Sequence, residues 1–141
     1  RRISDLLDAG CGPAPMISLL AEKYPNRHYT GLDLTPAMIE QAKKKNIPNA
    51  EFAVGDCENF PFEDNAFDAV ICSNSFHHYP DPLAFFKSVK RCLRPGGRLV
   101  LRDVTSENKI VLWFMDKIEL PPKRNAFALC GKENGLNWFG K

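Results

Sequence analysis

Residues 6–12, with the sequence LLDAGCG, constrain the fold more than any other part of the chain. An apolar run ends in Asp8, and Gly10 and Gly12 follow one residue apart, before the predicted start of a helix. Such runs are typical of buried parallel strands, and glycine permits a tight turn with close backbone approach to a ligand. The segment therefore predicts a strand, a ligand-binding turn and a helix. A plain strand-to-helix connection is the alternative.

The turn lacks the third glycine of the dinucleotide-binding fingerprint, because Pro15 stands where Gly-x-Gly-x-x-Gly requires glycine. Proline also removes a backbone amide that a pyrophosphate would use at a helix N-terminus. A ligand without phosphates is therefore expected. This argues against an NAD(P)-dependent oxidoreductase, which would use the same kind of sheet.

Two more acidic residues stand at the ends of the next two predicted strands. Asp33 follows the segment 28–32, at about the 20-residue spacing after the glycines at which a carboxylate binds ribose hydroxyls. Thr35 and Pro36 suit the cap and first turn of the following helix, which predicts that Asp33 is free for a ligand. Asp56 follows the segment 51–55 and is predicted to reach an exocyclic amine of a base. Turn or capping chemistry is the alternative for each acid.

Together these motifs resemble those of a class I S-adenosylmethionine-dependent methyltransferase. The matching segments follow one another in the family's order, at 7–12, 31–35, 55–57, 67–72 and 93–99. Segments 59–68 and 76–82 are most similar to the small-molecule branch that includes quinone-biosynthesis C-methyltransferases. Ala14 departs from the pattern of this family, because it occupies the place of the third glycine in the methyltransferase motif, as distinct from the dinucleotide-binding fingerprint.

The resemblance implies a site for S-adenosyl-L-methionine and its product S-adenosyl-L-homocysteine (SAH). Backbone amides of the glycine turn would hold the aminoacyl arm, and the acid before the turn would favour its ammonium group. The next two acids would bind the ribose and the adenine amine, two apolar side chains would pack near the adenine, and the end of strand four would offer a carbonyl. The implied cofactor-binding residues are Asp8, Gly10, Cys11, Gly12, Asp33, Leu34, Met38, Asp56, Cys57 and Ser73.

The implied reaction is direct displacement of the sulfonium methyl group by a small-molecule acceptor. Positioning and exclusion of water then matter more than side-chain chemistry. If a general base is used, His78 or the adjacent His77 is the candidate, because imidazole titrates near neutral pH. The alternative for each histidine is packing or capping of its loop. A non-catalytic S-adenosylmethionine-binding sensor or partner subunit is the alternative for the whole chain.

Alternating strand and helix patterns predict a three-layer, doubly wound Rossmann-like α/β sheet with parallel strands in the order 3-2-1-4-5. A buried stripe of Leu83, Phe86, Val89 and Leu93 is expected on the third helix. Two apolar runs at 126–130 and 136–139 flank an Asn-Gly loop and predict a C-terminal antiparallel hairpin. The strands are predicted at 3–8, 28–32, 50–54, 67–73 and 98–104, and the helices at 15–24, 36–45, 82–94 and 107–120.

The length of 141 residues predicts a single domain. By resemblance, residues 1–141 form one S-adenosylmethionine-binding domain that lacks an N-terminal helix and a lid segment near 121–124. The formal charge of +2 gives no signature of nucleic-acid binding, and residues 43–45 are interpreted as a solvated helix face. Five cysteines without a Cys-x-x-Cys pair indicate reduced thiols in a cytoplasmic protein and no metal site. No apolar run approaches the roughly 20 residues of a membrane span. The acceptor and the oligomeric state are left open.

Overall fold

A computed structural model describes residues 3–102 and 126–129, with side chains for all of these except His77 and residues 126–129. Six strands form one sheet in the order β3-β2-β1-β4-β5-β6, and each neighbouring pair is parallel. The strands are β1 (Asp5–Ala9), β2 (His28–Asp33), β3 (Ala50–Val54), β4 (Phe67–Ser73), β5 (Leu93–Arg102) and β6 (Ala126–Leu129). The helices are α1 (Pro15–Lys23), α2 (Pro36–Lys44) and α3 (Pro82–Cys92), and a 3₁₀ turn covers Phe76–His78.

Helices cover both faces of the sheet, and the central strands are apolar for that reason. Leu6 and Leu7 are neighbours on β1 and are buried in two different clusters, as alternation along a strand requires. One cluster contains Phe85 of α3, and the other contains Ile17 of α1 and Ile39 of α2. The predicted three-layer α/β architecture and the 3-2-1-4-5 order are confirmed.

The buried face of α3 differs from the prediction. Leu83 is 38% exposed, whereas Phe85 is fully buried. The buried residues of α3 are Phe85, Phe86, Ser88, Val89 and Cys92, and this spacing places Leu83 outside the stripe. β5 also begins earlier than predicted, at Leu93, because Leu93 pairs with Phe67 before a shift in register leads into the pairing of Arg98 with Ala69.

The predicted C-terminal antiparallel hairpin is not supported. Its first run does form a strand, but β6 lies parallel to β5, with Leu99 opposite Phe127. An apolar run predicts a strand but does not show which strand it pairs with. The sequence therefore does not reveal that residues 126–129 pair with the edge of β5. The second predicted run at 136–139, the helix at 107–120 and the segment 121–124 lie outside the described residues.

A charged cluster joins the starts of β1, β4 and β5. The Asp68 carboxylate accepts backbone hydrogen bonds from Ser4 and Asp5, and Nη1 of Arg94 lies 3.1 Å from its Oδ2 and 2.6 Å from Oδ2 of Asp5. Burial raises the pKa of Asp68, but these hydrogen bonds outweigh burial and hold it below its usual value. The cluster therefore stabilises the sheet in its ionised form.

The described cysteines carry free thiols, and all four are buried: Cys11, Cys57, Cys72 and Cys92. This agrees with the prediction of reduced thiols for the described part of the chain, and Cys130 lies outside it. Within residues 3–102 and 126–129, no helix has the length and apolar character needed to cross a bilayer.

Candidate functional site

A cavity of about 610 Å³ opens where the loops that follow β1, β2, β3 and β4 meet. In a doubly wound sheet, ligands bind at the carboxyl ends of the strands, where the strand order reverses. Here the reversal lies at β1, which pairs with β2 on one side and β4 on the other. The lining residues are Gly10, Gly12, Pro13, Asp33, Leu34, Thr35, Met38, Asp56, Cys57, Glu58, Ser75, His78, Tyr79 and Pro80.

The turn between β1 and α1, residues 10–14, is referred to below as the glycine turn. Gly10, Gly12 and Ala14 have φ values of 72°, 55° and 65°. The amides of Gly10 and Cys11 both donate to the carbonyl oxygen of Leu32, at 2.8 and 3.0 Å. The turn is thus fixed against β2, and Ala14 replaces the third glycine by adopting the left-handed conformation itself.

The two glycines meet different surroundings. A Cβ at Gly10 would lie 2.4 Å from Oγ of Ser75 and 3.0 Å from Oη of Tyr79, whereas a Cβ at Gly12 would meet no atom within 4 Å. Gly10 therefore packs against protein. Gly12 instead leaves its backbone open to the cavity.

Asp33 connects the loops after β1 and β2. Its Oδ2 accepts a hydrogen bond from the Gly12 amide at 2.8 Å, and its Oδ1 accepts one from the Thr35 amide at 2.9 Å. Thr35 and Pro36 occupy the N-cap and first turn of α2 as predicted, but the Thr35 side chain makes no capping bond, and Asp33 is not free of local bonds because it accepts the Thr35 amide. The carboxylate still lines the cavity.

Asp8 lies behind the glycine turn and is only 3% exposed. Burial, and secondarily the nearby charge of Asp33, raise the pKa of Asp8 to about 7. Asp8 and the predicted site residues Cys11 and Ser73 are not among the described residues that line the cavity. Asp8 can thus act on a ligand only at a distance, and the Cys11 amide is already bonded to the Leu32 carbonyl.

The β2 and β3 side of the cavity combines apolar and acidic side chains. Leu34 is 69% exposed and Met38 37% exposed, so both present apolar surface there. Asp56 is exposed, and its Oδ1 accepts the Glu58 amide at 2.8 Å. Cys57 is buried at the cavity floor, where burial raises the pKa of its thiol to about 11. The sulfur is therefore a neutral thiol at physiological pH.

The opposite side is formed by the β4 loop, residues 74–81. His78 is exposed and is among the residues that line the cavity. The His77 side chain lies outside the described residues. Ser75 and Tyr79 also line the cavity, and neither was among the predicted site residues. The signal for Ser75 is positional, because it lies two residues after β4, next to the turn that follows the neighbouring strand β1.

Hydrogen bonds link all four loops around the cavity. The Asp33 carboxylate already links the loops after β1 and β2. The Gly55 amide donates to the backbone carbonyl of Asp33 at 2.9 Å, which links the loop after β3 to them. Oε1 of Glu58 then accepts the Asp81 amide at 2.8 Å, and Oγ of Ser75 donates to the Ala9 carbonyl at 3.1 Å. The loops after β1, β2, β3 and β4 thus form a closed ring, and a ligand meets a preformed site.

The comparisons with known proteins agree on one family. Residues 7–101 match the family described as a methyltransferase domain. The phthiotriol/phenolphthiotriol dimycocerosates methyltransferase of Mycobacterium leprae is 40% identical over 79% of this chain and 42% of its own length. The fatty-acid O-methyltransferase of Mycolicibacterium smegmatis is 38% identical over 77% of this chain and 40% of its own.

A solved structure, that of the plantazolicin methyltransferase BpumL with a desmethyl plantazolicin analogue and SAH, has a TM-score of 0.62 and 25% identity. The match covers 67% of this chain and 37% of that one. None of these relatives is named for a quinone, so the predicted similarity to the quinone-biosynthesis branch is not confirmed. The chain spans about two fifths of the length of the curated relatives it matches.

Proposed function

The chain belongs to the methyltransferase domain family of class I S-adenosylmethionine-dependent enzymes, and we propose that it transfers the methyl group of S-adenosylmethionine to a small-molecule acceptor. The observation that carries this proposal is the cavity at the switch point, where two glycines, Asp33 and Asp56 converge. Its volume lies within the range of about 300–1,000 Å³ that is usual for small-molecule sites.

The residues of the cavity fit the parts of this cosubstrate. The open space beside Gly12 admits the aminoacyl arm. Asp8 lies behind the turn, and the ammonium group of a bound arm would favour its carboxylate form, which burial disfavours in the free protein. Each oxygen of Asp33 accepts one backbone amide and keeps a lone pair for a ribose hydroxyl. Apolar surface for the adenine comes from Leu34 and Met38. The remaining proposed contacts are the carboxylate of Asp56 and backbone groups of Cys57 and Ser73.

The proposed reaction is a single displacement. The acceptor atom forms a bond to the methyl carbon as the carbon–sulfur bond breaks, and the electron pair of that bond stays on sulfur as a neutral thioether. The protein holds the two reactants in line and excludes water. His78 faces the cavity from the β4 loop and is the proposed base for an acceptor that must lose a proton.

The acceptor is proposed to be a small molecule of the lipid type, because one relative is named for a fatty acid. The test is isothermal calorimetry with SAH, followed by incubation with methyl-labelled S-adenosylmethionine and a panel of fatty acids and hydroxylated lipids. Labelled product supports an enzyme. SAH binding with no labelled product from the panel contradicts the proposed lipid acceptor and favours a non-catalytic binder.

The substitution His78→Ala tests the role of His78 as a base separately from ligand binding. We expect unchanged SAH affinity and lower turnover, because the substitution removes a titratable group without altering the glycine turn. Unchanged turnover removes the base assignment and leaves the displacement itself intact.

A further inference from the structure

Three polar side chains form a cluster between β4 and the glycine turn. Oγ of Ser75 lies 3.1 Å from Sγ of Cys72 and 3.0 Å from Oη of Tyr79, and Sγ of Cys72 lies 3.7 Å from the same Oη. The Ser75 hydroxyl also donates to the Ala9 carbonyl at 3.1 Å, across 66 residues of sequence. The cluster therefore connects the β4 loop to the last residue of β1.

The hydrogens of this cluster can be assigned from its chemistry. A carbonyl only accepts, so the single Ser75 hydroxyl proton goes to Ala9. The Ser75 oxygen can then accept from the Tyr79 hydroxyl, which lies 3.0 Å away and carries a proton to donate. In this arrangement Tyr79 orients Ser75, and Ser75 contacts the turn.

The position of the Tyr79 ring is set by the core. Its centroid lies 5.1 Å from that of Phe85 and 6.0 Å from that of Phe76, both of which are buried. Gly10 completes the fit, because Ser75 and Tyr79 fill the space where a Cβ of Gly10 would stand. The β4 loop consequently seats directly on the backbone of the turn.

We propose that Ser75 and Tyr79 are positioning residues that hold the glycine turn and the β4 loop in one fixed arrangement, and that ligand affinity depends on this arrangement. The ligand and its identity rest on the proposed function, while the fixed arrangement is a property of the free protein. Through this contact, the side of the cavity that would hold the methyl donor is aligned with the side that carries His78.

The first test is SAH affinity, measured by calorimetry. Ser75→Ala and Tyr79→Phe are each expected to weaken SAH binding about fivefold, the effect of one ordinary hydrogen bond. The double variant is expected to lose no more than Ser75→Ala alone, because both substitutions break one chain of bonds. Ser18→Ala is the matched control: its hydroxyl also donates to a carbonyl, that of Ala14 at the α1 end of the turn, but this bond does not reach the β4 loop. Its SAH affinity should not change.

The second test needs no ligand. The Gly10 and Cys11 amides are bonded to Leu32 in the free protein, so their hydrogen exchange reports local opening of the turn. Exchange should be faster in Ser75→Ala and Tyr79→Phe than in the wild type, and unaltered in Ser18→Ala. Ser75→Ala keeps the Cβ and Tyr79→Phe keeps the ring, so the packing of both positions is retained. The melting temperatures of both variants are measured to check their overall stability.

The outcomes separate the two proposals. Exchange at Gly10 and Cys11 that is unchanged in both variants, or increased equally in Ser18→Ala, overturns the positioning role. Fully additive losses of SAH affinity overturn the orientation of Ser75 by Tyr79. Failure of the wild-type protein to bind SAH contradicts the proposed function, and the exchange rates then still decide whether the two residues hold the turn.

Discussion

The amide of Gly12 donates to Oδ2 of Asp33 at 2.8 Å, and this bond joins the glycine turn to the end of β2. The same carboxylate accepts the Thr35 amide through Oδ1 and lines the cavity. A carboxylate has about four lone-pair positions, so two backbone bonds leave capacity for a ligand. One side chain therefore both shapes the site and offers acceptors to what binds there.

Asp33→Asn should weaken SAH binding by about 10- to 100-fold, the range for hydrogen bonds to a charged group. Asparagine places an amide NH₂ where one of the two backbone amides of Gly12 and Thr35 needs an acceptor. Calorimetry measures the effect. Asp64→Asn is the control, because its carboxylate is 70% exposed and pairs with Arg91. Equal SAH affinity in Asp33→Asn and wild type contradicts the role of Asp33.

Gly10→Ala and Gly12→Ala should have different effects. Both force an L residue into positive φ, at about 1–2 kcal/mol, but only the Cβ at Gly10 collides with Ser75. We expect a lower free energy of unfolding in urea for Gly10→Ala than for Gly12→Ala. Gly12→Ala should chiefly weaken SAH binding, since its methyl group enters the cavity. Identical free energies of unfolding in the two variants would refute the close contact with Ser75.

The pH dependence of stability should carry the signature of Asp8. Its pKa is about 7 in the folded protein against an ordinary value of 3.8, mainly because of burial. Between these values the folded state binds more protons than the unfolded state, so this contribution to stability is present at low pH and is lost as pH rises toward and through 7.

Asp8→Asn removes that titration. Relative to wild type, the variant should be more stable at pH 8 than at pH 5 by roughly 2–4 kcal/mol, following the linkage between pKa and stability. Urea unfolding at the two pH values measures the difference, with Asp64→Asn as control. Parallel pH profiles for Asp8→Asn and wild type would show that the Asp8 carboxyl titrates normally.

Arg94→Met tests the charged cluster at the other ends of the strands. Removing the guanidinium deprives buried Asp68 of a charged partner, at a cost of about 2–3 kcal/mol in the free energy of unfolding. SAH affinity should not change, because the cavity lies at the carboxyl ends of the strands. Arg98→Met, an exposed position on the same strand, is the control. A loss of SAH affinity in Arg94→Met without loss of stability would contradict this separation.

Much of the fold could be predicted, because glycine, proline and apolar periodicity mark element ends locally. The bounds of β3 and β4 were predicted to the residue, and Pro15, Pro36 and Pro82 begin the three helices. Strand pairing is not local in sequence, so the partner and direction of β6 were missed. On α3, Phe86 and Val89 were predicted correctly, and only the first position of the stripe was wrong, since tertiary packing selects Phe85 over Leu83.

The candidate site, too, could be predicted only in part. The glycine turn and the acids at strand ends are visible in the sequence, because each is a compact motif with its own chemistry. Ser75 and Tyr79 carry no such motif, and their relation to Gly10 depends on β4 lying beside β1. The bond of Asp33 to the Thr35 amide is the local turn chemistry that the sequence offered as an alternative for this acid, and it occurs beside the contact with the glycine turn.

The pairing of β1 with β4 has a consequence for the order in which the site is made during synthesis. The glycines and Asp33 leave the ribosome tens of residues before Ser75 and Tyr79, so a nascent chain ending before β4 holds these motifs with one side of the cavity absent. A fragment stopped there would carry the sequence signature of the site without its enclosing surface. Ligand capture during translation should therefore begin only after the β4 loop has emerged.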